Sequence, residues 1–71
     1  MTTRQETTDV LHVLDTIGVT LMAVRVLRGA SQREVARQTG LSLSVVSRVE
    51  KGEDCTVSSA RALLAWIGGT P

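Results

Sequence analysis

Seventy-one residues with a formal net charge of +1, eight Lys and Arg against seven Asp and Glu, hold one domain and no more. A chain this short buries only about 60% of its unfolded surface, and with no Phe or Tyr and one Trp its core must be aliphatic. One Cys and one His exclude an internal disulfide and a Cys/His zinc site.

Residues 1–8 are polar and expected to be disordered or frayed. The polar N-terminus MTTRQETTD is not expected to act as a signal peptide, and no apolar run approaches the ~20 residues of a membrane span. From Asp9 the pattern turns apolar, and Val10, Leu14, Ile17, Leu21 and Val24 follow a helical stripe. Thr8 or Asp9 is the expected cap. Gly18 with the β-branched Val19 and Thr20 is expected to break the stretch into helices over 9–17 and 20–28, stopped at Gly29.

Ser31 to Gly52, SQREVARQTGLSLSVVSRVEKG, reads as two short helices joined by a tight turn. Ser31 with Glu34 forms a capping box, each side chain satisfying a backbone donor at the helix start. The first helix runs to about Gln38, and Gly40 supplies the left-handed backbone that reverses the chain. Leu41 or Ser42 starts the second helix, Ser42 being the better N-cap, and Gly52 ends it. Val35 and Ala36 form the inner side of the first helix, Val46 and Val49 that of the second. Small Ala36 lets the axes approach. Ser44, Ser47, Arg48 and Lys51, at i, i+3, i+4 and i+7, form the opposite face of the second helix. On spacing alone this is either a helix that packs behind and touches a polyanion in front, or an amphipathic hairpin with a solvated outer face.

After a loop over 53–55, Thr56 caps a last helix whose apolar stripe is Val57, Ala60, Leu63, Leu64 and Ile67, ending at Gly68-Gly69. Trp66 is core or a lid on it, the alternative being an exposed anchor for a partner. Cys55 reads as a small, half-buried apolar residue and fits a reducing cytoplasm. No Ser/His/Asp or carboxylate pair stands in a catalytic arrangement. Charge is uneven. Residues 25–51 carry Arg25, Arg28, Arg33, Arg37, Arg48 and Lys51 against Glu34 and Glu50, a balance of +4, and the flanks carry −3. That asymmetry points to an oriented basic face. Frequent Val and Thr favour strands, but nothing alternates cleanly between turn signals, so the composition reads as a helical bundle.

The 31–52 stretch resembles the helix-turn-helix of the phage repressor and Cro family, the Xre type. Members carry a serine-glutamine at the first helix, an alanine four residues after that glutamine, a glycine at the turn, and a serine–x–aliphatic–Glu–x–Gly close. Here these are Ser31-Gln32, Ala36, Gly40 and Ser47-Arg48-Val49-Glu50-Lys51-Gly52. The resemblance covers about residues 19–67. It implies an all-α fold, a small four- to five-helix bundle of the lambda-repressor-like DNA-binding kind, with 42–51 as the recognition helix in the major groove of double-stranded DNA.

The DNA-binding set this implies is Ser31, Gln32, Ser42, Leu43, Ser44, Ser47, Arg48 and Lys51. Leu43 and Ser44 stand where members contact bases, with Ser47 and Arg48 one turn later. Gln32 matches a glutamine that contacts a phosphate and braces the recognition helix, and Ser31 and Lys51 are backbone contacts. Two positions depart from the pattern. Leu43 replaces a polar residue and could pack on a thymine methyl. Thr39 replaces a small apolar one, its hydroxyl then bonding the helix end. Members also pair an arginine and a glutamate at the positions of Arg25 and Glu50. Many have a fifth helix at the dimer interface. This chain stops after the fourth, so a homodimer is expected through Asp9–Ile17 instead.

The resulting expectation is a non-enzymatic, cytoplasmic, nucleoid-associated operator-binding repressor. No cofactor, metal, small-molecule ligand or membrane partner is expected. An antitoxin that represses its own promoter and a protein-interaction module on the same fold are the alternatives.

Overall fold

A computed structural model describes the backbone of residues 3–69 and the side chains of residues 15–69. Four helices make the fold: α1 (Thr3–Leu27), α2 (Gln32–Thr39), α3 (Leu43–Glu50) and α4 (Val57–Gly68). This is a small all-α bundle in which α2 and α3 form the helix-turn-helix. Its core is aliphatic throughout: Ile17, Leu21, Val35, Ala36, Val46, Val49 and Leu63 are buried.

Local chemistry sets most helix ends. Ser31 Oγ accepts from the Glu34 amide at 3.0 Å, and Glu34 Oε1 accepts from the Ser31 amide at 3.0 Å, closing the capping box. Hydrogen bonding to the Glu34 carboxyl from Ser31, first from its amide and then from its side chain, holds that carboxyl below its ordinary range. Ser42, not Leu41, caps α3 through the Val45 amide at 3.1 Å, and Thr56 caps α4 through the Ser59 amide at 3.1 Å. Thr39 donates its hydroxyl to the Val35 carbonyl at 2.7 Å, which ties down the end of α2 before the turn.

Two expectations for α1 are corrected. Its backbone is helical from Thr3, through Thr8 and Asp9, so neither of these is a cap. The side chains of Val10 and Leu14, and the behaviour expected of residues 1–2 in the frayed stretch, lie outside the described residues. Nor does Gly18 break the helix. A glycine inside a helix costs only about 1 kcal/mol relative to alanine, and here the missing side chain is needed. A Cβ on Gly18 would overlap the carbonyl oxygen of Val49, so α3 docks its C-terminal turn directly on the α1 backbone.

α4 also differs from its expected stripe. Leu63 is buried, and Ala60, Trp66 and Ile67 pack half-buried against the core, but Val57 and Leu64 are exposed. The inward face is centred on Ser59 and Leu63. At 3.6 residues per turn, Leu64 lies about 100° from Leu63 and Val57 about 160° from Ser59. Buried Ser59 is satisfied by the Thr56 hydroxyl at 2.9 Å. At the far end of α4, Arg28 donates to the carbonyls of Trp66 (2.7 Å), Ile67 (3.0 Å) and Gly69 (2.9 Å), satisfying the otherwise orphaned helix end. Its guanidinium also stacks on the Trp66 ring, 4.6 Å from the centroid.

The turn between α2 and α3 gives a first prediction. Gly40 has φ +76°, and a Cβ added there would meet nothing within 4 Å, so a valine faces backbone strain alone. Ala36 is buried where α2 meets the core. Gly40→Val and Ala36→Leu are each expected to cost ~1–3 kcal/mol, the first by strain and the second by overpacking. Urea unfolding measures both. Parental midpoints for the two variants would contradict the two-helix geometry.

Candidate nucleic-acid interface

The capping serines and Gly40 place α3 across α2 with Val46 and Val49 inward. Helical spacing then turns Ser44, Ser47, Arg48 and Lys51 outward. Ser44, Arg48 and Lys51 are exposed, Ser47 is half-buried, and Leu43, at the start of the helix, is exposed. With Gln32 from α2, these residues line one shallow depression of about 370 Å³. Six of the eight residues expected at a DNA surface are thus brought together. The other two, Ser31 and Ser42, lie at the exposed N-termini of α2 and α3 and spend a lone pair each on capping. The Ser42 hydroxyl proton can still be donated, whereas the Ser31 side chain also hydrogen-bonds the Glu34 carboxyl.

Behind this surface lies a charged brace. Arg25 Nε donates to Glu50 Oε2 at 2.6 Å and Nη2 to Oε1 at 3.0 Å, a two-pronged pair joining α1 to the end of α3. The ion pair expected from the family pattern is therefore present. Nη1 of Arg25 also donates to the Ala30 carbonyl at 3.1 Å. Gln32 Nε2 donates to Glu50 Oε1 at 2.9 Å, so the same carboxylate fixes the glutamine at the edge of the depression. Burial pushes the Glu50 carboxyl up, but the hydrogen bonds from Arg25 and Gln32 with the Arg25 charge outweigh it, and the group lies below the ordinary carboxylate range. The pairing with Glu50 raises Arg25 in turn.

The contacts also locate the charge counted by segment. Arg25 pairs with Glu50, which the +4 balance of residues 25–51 already counts, and Arg28 is committed to the end of α4. Arg48 meets Glu53 at 3.3 Å, with the two side chains 56% and 52% exposed. A pair so open to water contributes about 0–1 kcal/mol, little enough for a stronger acceptor to displace Glu53. Glu53 had no signal in the sequence beyond being acidic, because its approach to Arg48 depends on the turn after α3. Trp66 is no free anchor: half-buried, it donates Nε1–H to Gln38 Oε1 at 2.7 Å.

Among the described residues, no group of His, Cys, Asp and Glu could hold a metal ion, and no helix is long and apolar enough to cross a membrane. The arrangement is a surface for hydrogen bonding and charge, with an apolar contact at Leu43. No curated protein and no solved structure matches the chain. A family model for the helix-turn-helix domain matches residues 16–70, from the middle of α1 through α4. By that match, and with the two capped helices in place, the chain belongs to the helix-turn-helix domain family, whose members suggest a DNA-binding regulatory function.

Proposed function

We propose that the protein is a sequence-specific double-stranded DNA-binding repressor of the phage repressor and Cro type, acting in the cytoplasm at the nucleoid. The observation that carries this reading is the single outward surface formed by Gln32, Leu43, Ser44, Ser47, Arg48 and Lys51 on a braced two-helix unit. α3 enters the major groove, which accommodates one helix. Leu43 and Ser44 meet base edges, with Leu43 against a thymine methyl, and Ser47 and Arg48 follow one turn later. Ser31 and Ser42 at the helix starts, Gln32 and Lys51 hold the phosphates on either side. Repression follows from occupying an operator that polymerase would otherwise use.

A titration of purified protein against genomic fragments in a gel shift, followed by footprinting, tests this. The expected result is a small set of fragments bound far more tightly than random DNA at the same salt, typically by about 10³-fold or more. Uniform weak binding to every fragment would contradict sequence-specific repression.

A further inference from the structure

The end of α3 folds an acid back onto Arg48. Gly52 has φ +82°, its amide donates to the Val49 carbonyl at 2.9 Å, and the Glu53 amide donates to the Arg48 carbonyl at 3.0 Å. These two bonds make the left-handed closure of a helix C-terminus. α1 backs the same turn, since a Cβ on Gly52 would stand 2.9 Å from Asp15 Oδ1. The closure sets the Glu53 backbone against that of Arg48, and Glu53 Oε1 accepts from Arg48 Nε at 3.3 Å. Only one edge of the guanidinium is used. Nε carries a single N–H, and the remaining donors sit on Nη1 and Nη2. Neither terminal nitrogen of Arg48 makes a hydrogen bond among the described residues, whereas Arg25 uses all three nitrogens on Glu50 and Ala30. Arg48 also borders two depressions, the one it shares with Ser44 and Lys51 and another of about 260 Å³ that includes Asp54 and Cys55. An exposed arginine with two places to lie has rotamer freedom that a base contact must freeze.

We propose that Glu53 is a positioning residue for base recognition, holding Arg48 by Nε and leaving Nη1 and Nη2 to meet guanine O6 and N7. The role rests on the DNA-binding reading above and deepens it, because Glu53 sets specificity without touching a base. The pair is weak enough to be displaced, but guanine has no need to displace it. Its two acceptors take the terminal nitrogens while the carboxylate keeps Nε. Holding the side chain beforehand removes part of the ordering cost before DNA arrives. The carboxylate also places a negative charge beside the duplex, which disfavours every sequence alike. Glu53 thus lowers affinity in general and sharpens preference at the base pair that Arg48 reads.

Glu53→Ala, Glu53→Gln, Arg48→Ala and the double variant Arg48→Ala with Glu53→Ala test this. Both side chains are exposed, so the substitutions leave the core intact, which circular dichroism confirms. Each protein is titrated against the footprinted site, against that site changed at the base pair where Arg48→Ala relaxes preference, and against random DNA. Glu53→Ala is expected to cut the preference about two- to fivefold, the range of an exposed ion pair, while random DNA binds no more weakly. Glu53→Gln keeps an oxygen for Nε–H and is expected to retain the preference while binding all sequences more tightly. In the Arg48→Ala background, Glu53→Ala is expected to leave the preference unchanged. Arginine side-chain NMR of the free protein supplies a reading without DNA, in which the Arg48 Nε–H is expected to exchange faster with water in Glu53→Ala than in the parent. Full preference in Glu53→Ala, beside a loss in Arg48→Ala, overturns the role of Glu53 and leaves the DNA reading standing. The same loss from Glu53→Ala with or without Arg48 overturns it too, since Glu53 then acts by itself. An Arg48 Nε–H indifferent to Glu53→Ala removes the contact whatever the DNA results. A parent that prefers no sequence overturns both the role and the reading.

Discussion

Glu50→Ala is expected to destabilise the fold by about 3 kcal/mol, the lower end for breaking a buried ion pair. The lower end applies because the Glu50 side chain is 2% exposed whereas that of Arg25 keeps 17%. Removing the carboxylate strands a largely buried guanidinium and takes the partner from Gln32 Nε2. Replacing both charges by apolar residues, Arg25→Met with Glu50→Leu, is expected to cost less than the single change, because no uncompensated charge remains. Denaturant unfolding of the three proteins checks this, and an unchanged midpoint for Glu50→Ala would refute the brace. The pair also sets a pH dependence. The carboxyl lies lower in the folded chain than its ordinary value of 4.5, so its contribution is complete above that value. It is lost as pH falls below 4.5 and through the folded value. Glu50→Gln is expected to flatten this acid limb.

Gly18→Ala should be nearly as damaging, although alanine is the better helix former by about 1 kcal/mol. The added Cβ meets a backbone carbonyl oxygen, that of Val49, rather than a side chain that could swing away. α3 must then lift from α1, costing ~1–3 kcal/mol net of the propensity gain. Because Val49 is one residue from Glu50, the shift also loosens the Arg25–Glu50 pair. Calorimetry on Gly18→Ala, with Gly68→Ala as a control where nothing lies within 4 Å, separates the clash from general helix propensity. A stabilised Gly18→Ala would show that α3 does not rest on α1 there.

Gly18 also marks where sequence reading reaches its limit. Ser31, Ser42 and Thr56 were legible as caps because a cap is settled by a few consecutive residues. Whether a glycine breaks a helix or admits a neighbour is settled by a distant chain segment, here the end of α3. Arg28 is a similar case: nothing local ties it to the carbonyls closing α4. Two of the six cations counted in the basic middle segment, Arg28 and Arg48, are engaged by acceptors outside that segment, so a charge balance by segment overstated the charge free on one face. At the candidate surface, the period of α3 sufficed to group Ser44, Ser47, Arg48 and Lys51. Gln32 joined them through the family pattern, and the carboxylate that holds it is shared with a pair from the same pattern.

The central claim is that α3 reads bases rather than only attracting phosphates, and paired binding measurements on Arg48→Ala and Lys51→Ala test it most directly. Arg48 has the fork to donate two hydrogen bonds to guanine O6 and N7, whereas Lys51 can only neutralise a phosphate. Each protein is titrated against the footprinted site, single-base variants of it and random DNA over a range of salt. Arg48→Ala is expected to lose about 1–3 kcal/mol on the site, little on random DNA, and to relax preference at one base pair. Lys51→Ala is expected to weaken all sequences alike and to lower the salt slope by about one unit. Equal losses on the site and on random DNA for Arg48→Ala, with base preference intact, would contradict the claim.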